Sequence, residues 1–416
     1  MPKPPVPIGL ILIVLASSCV AKRLSPVTSS PPAKPSTPTP TPLPSSSPTR
    51  SPQLATPQAK PDPTRVAEAH VVDASLLHDG FGWAWKGGRR LLATVDGGAS
   101  WREMTLPEIG SGFIQAAFFL DADIGWVGAG YPQEDSGVQP IAVMSTQDGG
   151  SSWQVQDLEV ESSFGNPGHI IDLRFLDGQH GWMALDFTAA MNSSSGELLR
   201  SADGGRTWQP SQLPNAGPVY FNSPSIGWTI GNFNNGARRR LYRTLDGGNT
   251  WQPYSAISEP VDDSSQYNDY LLPVFFNQRE GILPILLSDQ DYGLTGLALY
   301  RTMDGGYTWS HASTLRVPLS SWEWGQAAVD IIDDAVWVAA SDAGEVYLTV
   351  DRGRNWRLAN QAEGQPHLSF WGLSFTSQAI GWGVAYEQCQ GGVIACLQLY
   401  RTDDGGQRWE LLRVEE

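Results

Sequence analysis

The chain is predicted to be all-β, a seven-bladed propeller of four-stranded antiparallel blades behind an exported, unstructured N-terminus, and three observations predict it. First, the pattern (Ser/Thr)-x-Asp-x-Gly-x-x-Trp occurs seven times, starting at Thr94, Thr146, Ser201, Thr244, Thr302, Thr349 and Thr402. Successive starts lie 43 to 58 residues apart, the length of a unit that must stack on neighbours to bury its apolar face. Second, an alternating apolar stretch, a short turn and a Gly-Trp pair precede each copy: Gly82-Trp83, Gly125-Trp126, Gly181-Trp182, Gly227-Trp228 and Gly381-Trp382. The fifth unit degrades the pair to Gly281-Ile282 and the sixth to Ala335-Val336-Trp337. Third, of 17 tryptophans only Trp85, Trp322, Trp324 and Trp371 fall outside these two positions, so tryptophan here is mostly packing between blades.

The N-terminal element comes first. After Lys3, the run Ile8 to Ala16 is too short to span a bilayer as a helix and has the shape of an export signal. It ends in Leu15-Ala16-Ser17-Ser18-Cys19, which resembles a lipobox with Ala16 where Leu is preferred. Residues 1–19 are therefore read as a lipoprotein-type signal, with Cys19 as the lipidated residue and a plain signal peptide as the alternative. Residues 20–65 are dominated by Pro, Ser, Thr, Ala and Lys. Such a segment cannot bury a core, and as a disordered, partly polyproline linker it reaches at most about 140 Å at ~3.1 Å per residue.

Residues 66–416 hold the propeller, with blades at about 66–107, 108–160, 161–212, 213–256, 257–313, 314–361 and 362–416. The second unit reads as strand A at 113–120, B at 125–130, C at 141–146 and D at 153–158. Between C and D, Asp148-Gly149-Gly150 is a turn in which glycines accept positive φ and the carboxylate bonds nearby amides. On this reading Asp96, Asp148, Asp203, Asp246, Asp304, Asp351 and Asp404 form turns. Trp101, Trp153, Trp208, Trp251, Trp309, Trp356 and Trp409 are wedges between blades. Calcium is the rival reading, but it wants six to eight oxygens and most copies offer one Asp, with Asp403 as the single addition. No metal and no cofactor is expected.

The repeat resembles the Asp-box, or bacterial neuraminidase repeat, of sialidases, xyloglucanases and sortilin. The fuller string Leu241-Tyr242-Arg243-Thr244-Leu245-Asp246-Gly247-Gly248-Asn249-Thr250-Trp251 is closer to the photosystem II stability and assembly factor-like propellers. That resemblance implies a seven-bladed propeller, in photosynthetic members a lumenal and often lipid-anchored one, which helps assemble a membrane complex without catalysing a reaction. It covers nearly all of the chain from about residue 66, and it specifies fold better than function.

Residues 1–65 carry seven Lys or Arg against one Asp, so the rest carries 20 against 42, a net of −22. A body this acidic repels phosphate backbones, so nucleic acid is a poor partner. Cys389 and Cys396 lie close together in the seventh unit, and in an exported protein they read as a disulfide, with two free thiols as the alternative.

The A–B and C–D turns are short and alike, whereas the opposite loops vary: 131–140, 186–197, 232–240, 287–295 and 387–397 between B and C, and 253–270 between D and A. Recognition is expected on that irregular face. Its basic residues, Lys86, Arg89, Arg90, Arg238, Arg239 and Arg240, are candidates for partner contact, because the resembling assembly factors are known for an arginine-rich patch. A second candidate is an acidic and aromatic ligand loop of Asp262, Asp263, Tyr267, Asp269, Tyr270, Asp289, Asp291 and Tyr292.

The sialidase alternative requires three arginines, a Tyr nucleophile with a Glu partner, and an Arg-Ile-Pro motif. No Arg-Ile-Pro occurs, the nearest string being Gly281-Ile282-Leu283-Pro284. Nor is there a Gly-x-Ser-x-Gly. The sequence reading is thus a monomeric, extracytoplasmic, membrane-tethered scaffold that binds protein partners in a membrane or envelope complex, with a glycoside hydrolase or carbohydrate-binding propeller as the alternative.

Overall fold

The computed structural model describes residues 71–77, 80–86, 88–109, 112–131, 138–161, 169–190, 193–231, 240–255, 267–289, 293–319, 327–359, 367–388 and 395–413. The signal, Cys19, the 20–65 linker and the Cys389–Cys396 pairing lie outside the described residues.

Seven antiparallel sheets follow one another along the chain, each built from one uninterrupted stretch. Blade 2 has strand A at Phe113–Phe119, B at Gly125–Gly130, C at Val138–Thr146 and D at Gln154–Glu161. Blade 5 differs in that its strand A is split into Tyr267–Tyr270 and Val274–Phe275, both paired with strand B at Gly281–Ser288. Its break spans Pro273 and lies opposite Pro284, residues that have no N–H to give a ladder. Blade 7, with strand A at Ser369–Phe375, is completed by its own strand D at Glu410–Leu411, and blade 1 by its own strand A at Val71–Leu76. Among the described residues no strand is exchanged to close the ring. Closure rests instead on side chains. Trp382 Nε1 donates to Gly97 O at 3.3 Å, the Trp101 and Trp382 rings lie 5.4 Å apart, and Leu76 N donates to Ser374 Oγ at 3.2 Å.

The first residue after each Asp of the repeat donates its N–H to a carbonyl in the A–B turn of the same blade, at 2.8–3.1 Å in all seven. The two turns therefore share one face, and the B–C and D–A connections leave from the other. Strand pairing also extends further than the sequence reading allowed. Residues 186–190 and 193–197 read as loop, yet they continue the B–C ladder of blade 3, since backbone pairing does not depend on the apolar alternation that marks a strand in sequence.

Blade seams repeat one arrangement. The Gly-Trp indole of one blade stacks on a Phe ending strand A of the next, and that Phe also meets the repeat Trp of its own blade. Trp126, Phe175 and Trp208 form one such set, with centroids 3.6 and 6.0 Å apart; Trp182, Phe221 and Trp251 form another at 3.9 and 6.0 Å. The glycine that opens strand B is required because a Cβ there would lie 2.1–2.9 Å from that blade's Phe ring at Gly125, Gly181, Gly227, Gly281 and Gly381.

Blade 6 corrects the sequence alignment. Trp337 pairs with Thr349, the register held by glycine elsewhere (Gly381 with Thr402, Gly227 with Thr244), so Val338, not Trp337, stands in the Trp position. The physical reason is an exchange of bulk. Strand A of blade 6 ends in Ile331 instead of Phe, and blade 5 offers Ile282 instead of Trp. Trp337, fully buried, supplies the missing indole in a cluster with both. It approaches Gly353 as closely as Trp228 of blade 4 approaches Gly306, 2.7 Å from a Cβ at either site.

Candidate functional site

In each C–D turn the Ser or Thr hydroxyl donates to the Asp Oδ1 at 2.7–3.0 Å and accepts the N–H four residues on at 2.7–2.9 Å. The residue before the Trp donates its amide to the same Oδ1 at 2.8–2.9 Å. Its side chain bonds Oδ2 at 2.6–2.7 Å from Ser100, Ser152, Thr207, Thr250, Thr308 and Asn355. That extra polar position was not seen in the sequence, although its signal, a hydroxyl just before the repeat Trp, was present. Burial opposes ionisation of Asp96, but hydrogen bonds from Ser100, Thr94 and backbone amides outweigh it and hold the carboxyl at about 2, and Asp304 likewise. Both oxygens of six of these carboxylates, and Oδ1 of Asp404, are engaged within their own turns, and among the described residues no group of three or more His, Cys, Asp or Glu could hold a metal ion.

Arginines of the repeat reach across seams. Arg200 donates to Gly247 O at 3.4 Å, Arg243 stacks 4.0 Å over the Tyr307 ring, and Arg301 pairs with Asp334 at 2.8 Å.

The inner strands hold a second polar set. Strand A of every blade has an unpaired edge facing the axis, and such an edge carries exposed N–H groups. At five seams a polar side chain of one inner strand accepts an N–H of the next: Gln115 from Ile170 (2.8 Å), Asp172 from Val219 (2.9 Å), Tyr220 from Phe275 (3.2 Å), Asp330 from Phe375 (2.5 Å) and Ser374 from Leu76 (3.2 Å). Each is worth roughly 0.5–1.5 kcal/mol net. The sequence signal was a lone polar residue inside an apolar inner strand.

Two axial groups are not used this way. Arg174 pairs with Asp172 at 3.1 Å and keeps nearly half its side chain exposed. Asp73, on strand A of blade 1, is open to solvent. The surrounding walls nevertheless push its carboxyl up to about 6, Asp172 adding to the rise while the Ala74 amide and Arg174 oppose it. Asp73 also lines a cavity of about 140 Å³ at the seam of blades 7 and 1, together with Trp371, Gly372, Ser374, Trp382 and Val384.

The predicted partner-contact residues separate. Lys86 is buried at the end of strand B of blade 1 (Gly82–Lys86) and presents no exposed charge, because that strand is covered on both faces. Arg90 is paired with Glu103 at 3.0 Å, and Arg89 and Arg240 are exposed. Arg238 and Arg239 lie outside the described residues. Arg89 and Arg90 stand in blade 1 and Arg240 in blade 4.

Of the acidic and aromatic loop, Asp269 is 4 % exposed on strand A of blade 5, and Tyr270 packs in the core between blades 4 and 5. Both belong to the ladder with strand B, Asp269 opposite Leu286 and Tyr270 opposite Ile285, so neither is a loop group. Asp289 accepts the Gly293 amide at 2.8 Å. Asp262, Asp263, Asp291, Tyr292 and the side chain of Tyr267 lie outside the described residues. Among the described residues of the inner strands Arg174 is the single arginine, so they assemble no three-arginine grip.

No protein-family model matches the chain, and neither does any curated protein. Solved structures do. YCF48 from Cyanidioschyzon merolae is 16% identical, with a TM-score of 0.47 over 75% of this chain and 88% of that one. YCF48 bound to D1 peptide is 17% identical, with a TM-score of 0.44 over 72% and 82%. A Mycobacterium tuberculosis puromycin-hydrolyzing peptidase is 12% identical, with a TM-score of 0.50 over 83% of this chain and 53% of that chain, so the match spans about half of the peptidase. At these identities the likeness is one of fold.

Proposed function

We propose that this propeller is a protein-binding scaffold of assembly-factor type, tethered outside the cytoplasm by a lipidated Cys19 and a Pro-rich stalk. The observation that supports this reading is the commitment of the repeated polar groups to structure. The seven Asp carboxylates bond within their turns, Arg200, Arg243 and Arg301 latch seams, and five inner polar side chains cap neighbouring edges. Sequence variation is left to the B–C and D–A loops. The chain enters blade 1 at Val71, where strand A begins, on that same loop face.

The test is crosslinking and affinity capture from native membranes with the full chain, beside a variant with Arg238, Arg239 and Arg240 all changed to Ala. Reproducible recovery of the same partner, reduced by the variant, supports the scaffold. Recovery of no partner, with glycan turnover by the pure chain, overturns it in favour of a glycosidase. Separately, Cys19→Ala is expected to move the chain from the membrane to the soluble fraction.

A further inference from the structure

The cavity between blades 7 and 1 is the one place on the inner strands where an open carboxylate, indoles and unfilled space coincide among the described residues. Its walls come from strand A of blade 1 (Asp73, Ala74), strand A of blade 7 (Trp371, Gly372, Leu373, Ser374) and strand B of blade 7 (Trp382, Val384). Trp371 is the extra residue of a β-bulge, since Phe370 pairs with Ala385 and Gly372 with Val384. Bulges re-aim a side chain that regular alternation would place elsewhere. A Cβ on Gly372 would meet no atom within 4 Å, so this wall faces empty space.

The charges single out a cation. Arg174 and Asp172 already form a pair, and Asp330 accepts the Phe375 amide, which leaves Asp73, among the described residues, with the neighbouring Ala74 amide as its hydrogen-bond donor. Carboxylate and indole together suit an ammonium, the first by charge-assisted hydrogen bonds and the second by cation–π attraction. A volume of about 140 Å³ admits a short alkyl chain.

We propose that this seam cavity binds a primary alkylammonium group, with Asp73 holding the charge and Trp371 and Trp382 the methylenes. A lysine side chain of a partner protein and a free small amine share that chemistry. The first source rests on the scaffold reading, whereas binding of a free amine does not.

The experiment titrates the full chain with n-butylammonium chloride, following ¹H–¹⁵N indole resonances, and repeats the titration with n-butanol. Saturable shifts confined to a few indoles, with n-butanol at least about tenfold weaker, are expected. Asp73→Asn should weaken binding about tenfold or more. Gly372→Leu, which fills the space without touching the charge, should abolish it while leaving the melting temperature near that of the wild type. Binding should strengthen as pH rises through about 6, since Asp73 is the titrating wall and Arg174 stays charged. Equal binding of n-butanol, unchanged binding by Asp73→Asn, or no saturation overturns the proposal. An N-acetyl-lysine-amide arm separates the sources: binding of butylammonium without this peptide-like probe assigns the site to free amines. Loss of partner capture with butylammonium binding intact sinks the scaffold reading alone.

Discussion

Exchange of bulk at the seam of blades 5 and 6 predicts a specific rescue. Trp337 is fully buried and fills the space that Ile282 leaves. Replacing it by the glycine found at this register elsewhere removes the whole indole, at a cost of roughly 3–5 kcal/mol, with about 0.5–1 kcal/mol more for glycine inside a strand. Ile282→Trp in the wild-type background inserts an indole where one already sits and costs about 1–3 kcal/mol by overpacking. If the two effects were independent, the double variant would lose roughly 5–9 kcal/mol. The geometry instead makes each substitution the remedy for the other, because the indole introduced by Ile282→Trp occupies what Trp337 vacates. The double variant should therefore be no less stable than Trp337→Gly alone, a coupling of about 1–3 kcal/mol. Adding Ile331→Phe, which restores the ring found at the end of strand A in other blades, should bring it closer to wild type. Urea denaturation followed by far-UV circular dichroism measures all four variants without relying on the altered fluorophores. A double variant at the additive sum would show that the indole of blade 6 does not replace that of blade 5.

Three further outcomes are expected. Asp96 and Asp304 titrate near 2 when folded against 3.8 ordinarily, so the unfolded chain binds more protons in acid; the stability they supply is complete above about pH 4 and falls away toward pH 2. A urea midpoint that does not fall between pH 4 and 2 would contradict this. Asp73 has the opposite sign: its folded value near 6 means that ionisation weakens the fold as pH rises through 6, and because its side chain is open to solvent the effect is small, so Asp73→Asn should raise the melting temperature only slightly at pH 8 and change nothing below pH 4. Arg352 sits at φ 65 where the other six copies carry glycine, and its guanidinium reaches Asp334 at 2.5 Å. Arg352→Gly removes a left-handed strain of about 1–2 kcal/mol and an exposed ion pair worth about 0–1 kcal/mol, so calorimetry should find it neutral or stabilising, more so in high salt.

The blade count and the strands of blade 2 were legible because period-2 alternation and the Asp-Gly turn chemistry are local properties. The register of Trp337 was not, since Ala335-Val336-Trp337 resembles a worn Gly-Trp until the pairing with Thr349 is known. Lys86 and Asp269 look like loop charges by type, but strands that continue past their apolar stretch carry them inside. The caps at Gln115, Asp172 and Ser374 escaped notice for a related reason: their partners are amides 47 to 298 positions away. Only ring geometry reveals an inner edge in need of acceptors.

Because every blade keeps all four strands in one stretch, the step from Arg413 back to Val71 is topologically the same D–A step made six times already. The molecule has no privileged starting blade. A gene rearranged to begin at blade 2, with a short linker joining the old ends, would encode the same seven sheets, and the family of such permutants would report which seam gives way first under load.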